Sequence, residues 1–349
     1  MKKFTIFLSA MLLAALLAGC AGTPVVYYTE CNCSGSQQAG GSTQENIAEG
    51  ALSTGLAIVG STAESKDGEV SYDVTVAAVT LDVNGVITDC ILDSVGAKVA
   101  VDANGQITTD QTAPVATKNE LGDSYGMKAY GGAKYEWYEQ AAALADFAVG
   151  KTVDELKNGA VDQTGKAPQG SDLASTATIY LGGYVAAIEK AAANAKALGS
   201  MSGDELKLAV NCTLGSSVSA TADKAGTAQL DVDVAVLTAE GETITGCYLD
   251  SLQAKVGFDA AGKLTGDVTA PLQTKNELGE AYGMKAWGGA KYEWNEQAAN
   301  FAAYVTGKTA AQVAGIAVTE TTAPAEADLA SGVTIAIGGF QALIAKAMQ

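Results

Sequence analysis

Two stretches of the chain place a hydroxyl where it could carry a covalent group. Residues 171–178 read Ser-Asp-Leu-Ala-Ser-Thr-Ala-Thr, and residues 327–334 read Ala-Asp-Leu-Ala-Ser-Gly-Val-Thr. Each ends in a threonine, Thr178 or Thr334, and runs into an apolar stripe at helical spacing. Leu181, Tyr184, Ile188 and Ala191 make the first stripe; Ile337, Phe340, Ile344 and Ala347 make the second. A hydroxyl at the mouth of a helix meets unpaired N–H groups and the positive end of the dipole, a setting suited to a phosphate. The chemistry this suggests is a phosphoester to a cofactor. Gly182-Gly183 and Gly338-Gly339 would let backbone approach closely, and their cost of about 1 kcal/mol each inside a helix puts the helix start after them. The same residues also suit a plain helix cap, with Asp172 and Ser175 as capping groups and Thr178 in the first turn.

The elements that must position these hydroxyls follow from the rest of the chain. Its 349 residues suggest about two domains, and an apolar share of 48% with 17% charged supplies folded cores rather than disorder. The formal charge is −18, from 39 acids against 21 bases; every base is a lysine, and histidine and arginine are both absent. An acidic surface without arginine argues against nucleic acid. The missing histidine removes Ser-His-Asp chemistry, His-ligated haem and most catalytic zinc sites.

At the N-terminus, Lys2 and Lys3 precede an apolar run from Phe4 to Leu17 and the sequence Leu17-Ala18-Gly19-Cys20, which looks like a bacterial lipobox. Residues 1–19 thus read as a lipoprotein signal peptide and Cys20 as the lipidated residue. Acyl chains at about 0.8 kcal/mol per CH₂ would hold the protein on the outer, extracytoplasmic face of the cell membrane. Residues 20–50 turn to Gly, Ser, Gln and Thr, a flexible tether that includes Cys31 and Cys33. Cys90 and Cys247 lie inside apolar runs and read as small buried hydrophobes. No metal site is expected from these cysteines.

Beyond the tether the chain repeats itself. Thr117-Lys118-Asn119-Glu120-Leu121-Gly122 recurs as Thr274-Lys275-Asn276-Glu277-Leu278-Gly279, a shift of 157. A period this long means whole domains, 51–200 and 201–349. Val70 to Leu81, a turn at Asn84-Gly85, Val86 to Leu92, and Lys98 to Val101 before a turn at Asp102–Gly105 predict an antiparallel meander. Glu240-Gly241 and Ala261-Gly262 take the same turns in the second copy. A glycine- and aromatic-rich stretch follows, from Leu121 to Trp137 and from Leu278 to Trp294. Trp137, Ala141, Leu144 and Ala148 then mark one helix, and Trp294, Ala298, Phe301 and Val305 its partner. Thr152 to Leu156 reads as a short capped helix. The predicted fold class is α+β: two tandem repeats, each an antiparallel β-meander followed by helices, after a signal peptide and flexible linker.

Taken together, the Asp-x-x-Ser-x-x-Thr motifs, the lipobox and the doubled Tyr-Gly-Met-Lys stretch resemble the FMN-binding domain family. Its flavinylation motif is Asp-x-x-Ser/Thr-Gly-Ala-Thr/Ser. The likeness is to its two-domain flavinylated lipoproteins of extracellular electron transfer, and it covers nearly the whole chain past the leader. The resemblance implies FMN joined through its phosphate to Thr178 and Thr334 by an ApbE-type flavin transferase. The motif positions are Asp172, Ser175 and Ala177 in the first copy and Asp328, Ser331 and Gly332 in the second; Thr176 stands at the family's glycine and Val333 at its alanine. It further implies electron carriage rather than substrate turnover. The donor would be a membrane quinol- or NADH-linked system, and the acceptor soluble flavins, ferric iron or a reductase. Gly126, Met127, Lys128 and Tyr130, with Gly283, Met284, Lys285 and Trp287, are the candidate flavin pocket. Aromatic faces stack on a flat ring, and a lysine favours the anionic reduced flavin. Trp137 and Trp294 fall on the apolar stripe and read as core. The alternative expectation is a surface lipoprotein that binds a small ligand or a cell-wall glycan through the aromatic stretch, without redox activity.

Overall fold

Alternating Val, Thr and Ala build the strands, and the computed structural model describes them within residues 49–349. The leader, Cys20, Cys31, Cys33 and the tether as far as Ala48 lie outside the described residues. Strands β1 (Ser53–Ser61), β2 (Glu69–Leu81) and β3 (Ile87–Ala100) pair antiparallel in that order. Helices α1 (Lys118–Leu121), α2 (Met127–Gly131) and α3 (Trp137–Ala148) follow, with a 3₁₀ turn at Gly122–Tyr125. Next come α4 (Val153–Ala160), α5 (Asp172–Thr176) and α6 (Gly182–Ala193). A second antiparallel sheet has the order β4 (Glu205–Thr213), β5 (Gly226–Glu240), β6 (Thr243–Phe258), β7 (Leu264–Thr265). Behind it lie α7 (Lys275–Leu278), α8 (Met284–Gly288) and α9 (Trp294–Val305). The chain closes with α10 (Ala310–Ala314), α11 (Ala327–Ala330) and α12 (Gly338–Ala347). The fold is mixed α+β, and among the described residues no helix is long and apolar enough to cross a membrane.

Each sheet is covered over most of both faces. Leu56, Ile58, Val74, Val76 and Val99 of the first sheet meet Val210, Leu230, Val232, Val234 and Phe258 of the second in one buried cluster. The residues between them point the other way. Ala57, Ala77, Val79 and Leu92 pack with Trp137, Leu144, Leu181 and Ile188 of the helices. Ala235, Leu237 and Leu249 do the same with Trp294, Phe301, Ile337 and Ile344. The period of two along each strand therefore yields four layers, helices–sheet–sheet–helices. Cys90 and Cys247 sit in the two outer clusters as buried free thiols, each pushed up to about 12 by burial.

Two strands depart from the sequence reading. β1 does not appear in it, and β3 runs unbroken where the reading left a gap between Leu92 and Lys98. In β1 the cause is packing. A side chain at Gly55 would place its Cβ 2.1 Å from the carbonyl oxygen of Ala191, so α6 demands a face too small to show hydrophobic alternation. In β3 the gap residues Asp93, Ser94 and Gly96 pair with Val76, Thr75 and Asp73, polar residues held by ladder bonds.

The two sheets are clamped by crossed ion pairs. Lys190 near the end of α6 reaches Glu277 of α7 at 2.5 Å and the carbonyl of Ile58 at 3.4 Å. Lys346 near the end of α12 pairs with Glu120 of α1 and donates to the carbonyl of Val210. Glu120 and Glu277 are already fixed, because each closes a capping box with Thr117 or Thr274.

Beneath those boxes lie two buried carboxylates. Asp250 accepts from the N–H groups of Ser251 at 2.8 Å and Asn276 at 3.1 Å; Asp93 accepts from Ser94 at 2.7 Å and Asn119 at 3.2 Å. Burial outweighs these bonds and pushes Asp250 up to about 6 and Asp93 upward as well. An acid raised in the folded state binds protons there more readily than in the unfolded chain. Its burial therefore costs little near pH 4, where the unfolded carboxyl begins to ionise, and most above pH 6. Asp250→Asn keeps an oxygen acceptor without the charge. Urea unfolding is expected to show the variant more stable than wild type by up to about 3 kcal/mol at pH 7.5, with the advantage gone near pH 4. An advantage that does not change with pH would refute this account.

Candidate functional site

Thr178 and Thr334 are both exposed, and each is seated by one buried glutamine. The Oε1 of Gln140 accepts from the Thr178 N–H at 2.8 Å, the Thr178 hydroxyl at 3.2 Å and the Ile179 N–H at 3.1 Å. The Oε1 of Gln297 accepts from the Thr334 N–H at 2.7 Å, its hydroxyl at 3.1 Å and the Ile335 N–H at 3.2 Å. Both glutamines have no exposed surface. Their Nε2 atoms donate inward, to the Tyr135 carbonyl at 3.0 Å and the Tyr292 carbonyl at 2.9 Å, and lie 3.9 Å from the sulfurs of Met127 and Met284.

This seat corrects the expected position of the threonines. Neither stands at a helix mouth. Thr178 lies in the link between α5 and α6, and Thr334 in the link between α11 and α12. The glycine pairs do not delay the helices either, since α6 starts at Gly182 and α12 at Gly338. The first turns lack acidic residues and side-chain caps, and a Cβ at Gly183 or Gly339 would meet nothing within 4 Å. The carbonyl of Gly165 holds the start of α6 by bonds from Leu181 and Gly182, and that of Thr322 holds α12 by a bond from Ile337. Thr322 achieves this at φ 59°, a left-handed conformation costly for a β-branched residue.

The motif residues face outward. Asp172, Ser175, Asp328 and Ser331 are exposed, while Ala177 is buried. The cap of α5 is Ser171, not Asp172, and Ser175 bonds the carbonyl of Asp172 at 2.7 Å as Ser331 bonds that of Asp328 at 2.8 Å. The capping explanation for Asp172 is thereby removed. Gly332 has Asn300 against it, 3.0 Å from where a Cβ would stand. At the positions 156 and 157 residues earlier in the sequence stand Thr176 and Ala143.

The glycine- and aromatic-rich stretch is organised by a second buried side chain. Both oxygens of Glu136 accept from α2, from the N–H of Met127 at 2.8 Å and of Lys128 at 2.9 Å; Glu293 does the same for Met284 at 2.8 Å and Lys285 at 3.0 Å. Lys128 is paired with Glu139 at 3.1 Å and Asp123 at 3.5 Å, and Lys285 with Glu296 at 3.3 Å and Glu280 at 3.6 Å. These carboxylates hold both ammonium groups above their ordinary pKa, so much of each lysine's charge is already offset. Tyr130 is 91% exposed and Trp287 89%, each with a ring edge against a glycine at φ 82° or 84°. Trp137 and Trp294 are core, as their stripe implies; Trp137 donates to the Tyr184 hydroxyl at 2.9 Å. The cavity between β3 and β4, about 280 Å³, borders Asp93, Asn119, Glu120 and Lys346 and touches none of these site residues.

Thr178 and Met127 thus meet on Gln140, and Thr334 and Met284 on Gln297; Tyr130 and Trp287 take no part in that network. The glutamines and Glu136 and Glu293 are absent from the sequence reading. A signal existed, since Gln140 occupies the i+3 place of the stripe Trp137, Ala141, Leu144, and so does Gln297 in its copy. A polar residue there must be partnered once buried. No protein-family model, curated protein or solved structure matches the chain.

Gly126→Ala and Gly283→Ala would each force a Cβ to 2.5 Å from the Tyr130 ring or 2.2 Å from the Trp287 ring, at positive φ. Each is expected to lower stability by about 1–2 kcal/mol in urea unfolding, and an unchanged midpoint would show that these turns are not strained by a side chain.

Proposed function

We propose that the protein is a membrane-anchored, extracytoplasmic electron carrier with FMN esterified to Thr178 and Thr334. The observation that carries this reading is the double seat. Two hydroxyls at the surface are held by the same three bonds to a buried glutamine, each following exposed Asp and Ser residues of the motif. The helix that begins four residues after each threonine, at Gly182 or Gly338, carries no acid in its first turn to repel a phosphate. A covalent link also answers dilution. A pocket with Kd about 1 μM, roughly −8 kcal/mol, stands mostly empty where free flavin is scarce.

In this reading residues 51–200 and 201–349 are two copies of one flavin-binding domain, behind a signal peptide and a lipid on Cys20. The flavin performs the redox chemistry, and the protein tunes and tethers it. An ApbE-type transferase loads both sites. Electrons arrive from a quinol- or NADH-linked membrane system and leave to soluble flavins, ferric iron or a reductase. The net charge of −18 disfavours adding electrons and holds the flavin potential low.

One observation favours a second reading. Two aromatic rings lie open to solvent at Tyr130 and Trp287, which suits a surface lipoprotein binding a small ligand or glycan. The two readings separate by mass. Co-expression with the transferase is expected to add two FMN to the wild type, one to Thr178→Ala or Thr334→Ala, and none to the double variant. A colourless wild type with unmodified peptides at both threonines refutes the carrier and leaves ligand binding, read by quenching of Trp287.

A further inference from the structure

Gln140 and Gln297 hold more than a loop in place. Two backbone N–H groups at each site, from Thr178 and Ile179 or from Thr334 and Ile335, require an acceptor and so identify the amide oxygen. The amide nitrogen is spent on Tyr135 or Tyr292. The amide therefore cannot turn over without losing three bonds. With its orientation fixed, Oε1 also takes the hydrogen of the threonine hydroxyl, 3.2 Å away at Thr178 and 3.1 Å at Thr334. A hydroxyl whose hydrogen points inward presents its lone pairs to solvent. The glutamine is neutral as well as buried, so it supplies an acceptor without placing a negative charge beside an incoming phosphate.

We infer that Gln140 and Gln297 are the positioning residues for flavin transfer, each aiming a threonine oxygen outward at the phosphorus of an activated flavin phosphate. The inference rests on the carrier reading and adds to it the group that prepares the acceptor. In the step, the Oγ1–P bond forms while the anhydride bond of a flavin dinucleotide breaks, and the nucleotide monophosphate leaves. The hydroxyl proton goes to a base on the transferase, because a glutamine amide cannot hold it. After transfer the ester oxygen has no hydrogen, and Oε1 retains only its two backbone bonds.

The test uses the full chain, a purified flavin transferase and a flavin dinucleotide, with loading at each threonine read by peptide mass. Gln140→Ala is expected to slow loading at Thr178 by on the order of 10–100-fold in kcat, with KM for the acceptor chain unchanged. Thr334 in the same molecules serves as the internal control and should load at the wild-type rate. Gln140→Glu is expected to load well at acid pH, where the carboxyl is neutral and shaped like the amide. It should slow as the pH rises and a charge faces the phosphate, a profile that the wild type lacks. Wild-type loading of Thr178 in Gln140→Ala would overturn the inference while leaving the carrier reading intact. So would equal loss at both threonines, which marks a collapsed fold, or a pH profile for Gln140→Glu identical to that of wild type. A wild type that accepts no flavin at either threonine would instead sink the carrier reading itself.

Discussion

The constraint on which the rest depends is that each sheet is covered over most of both faces. One face of each closes against the other sheet, and the opposite face closes against helices. Strands in this position need apolar residues at every place, not at every second one. That is why β2 is buried at every place from Val76 to Leu81 and β5 from Val234 to Ala239. The same arrangement lets the sheets share a core, so neither can be hydrated without the other. The crossed pairs from Lys190 and Lys346 sit at the margins of that core, about one-third exposed, and contribute alignment more than energy.

Buried polar side chains do a separate task. The segments that carry the motif threonines and the glycine-rich turns are irregular, so their N–H groups have no ladder or helix partners. Gln140, Gln297, Glu136 and Glu293 each collect two such groups. Asp93 and Asp250 do the same under the capping boxes, at a cost in desolvation that shows in their raised pKa. Leaving even one of these donors unpaired in the interior would cost about 1–3 kcal/mol. Irregular backbone at the surface is thus held by acceptors rooted in the regular elements below it.

The helices were legible in the sequence because their periodicity survives packing. Trp137, Ala141, Leu144 and Ala148 are all buried, as are Trp294, Ala298, Phe301 and Val305. The hairpin turns at Asn84-Gly85 and Glu240-Gly241 join the strands expected of them. β1 was not legible, because its outer face is glycine and alanine under α6, and periodicity has nothing to register there. Type and spacing single out the threonines as candidates, but they do not show what holds them. The seat depends on a side chain 38 residues away for Thr178 and 37 for Thr334, and no local pattern carries that pairing. The helix starts were placed too late because Gly182 and Gly338 enter first turns, where a missing side chain matters less than in a helix interior.

The order of the layers has a consequence for traffic around the molecule. Gln140 stands on α3, outside the first sheet, and Gln297 on α9, outside the second. At about 10 Å per layer, some 30 Å of packed protein separate the two seats. Groups carried on Thr178 and Thr334 would stand back to back and look toward opposite horizons. A visitor docked at one leaves its twin free, so the chain could be served from two directions at once.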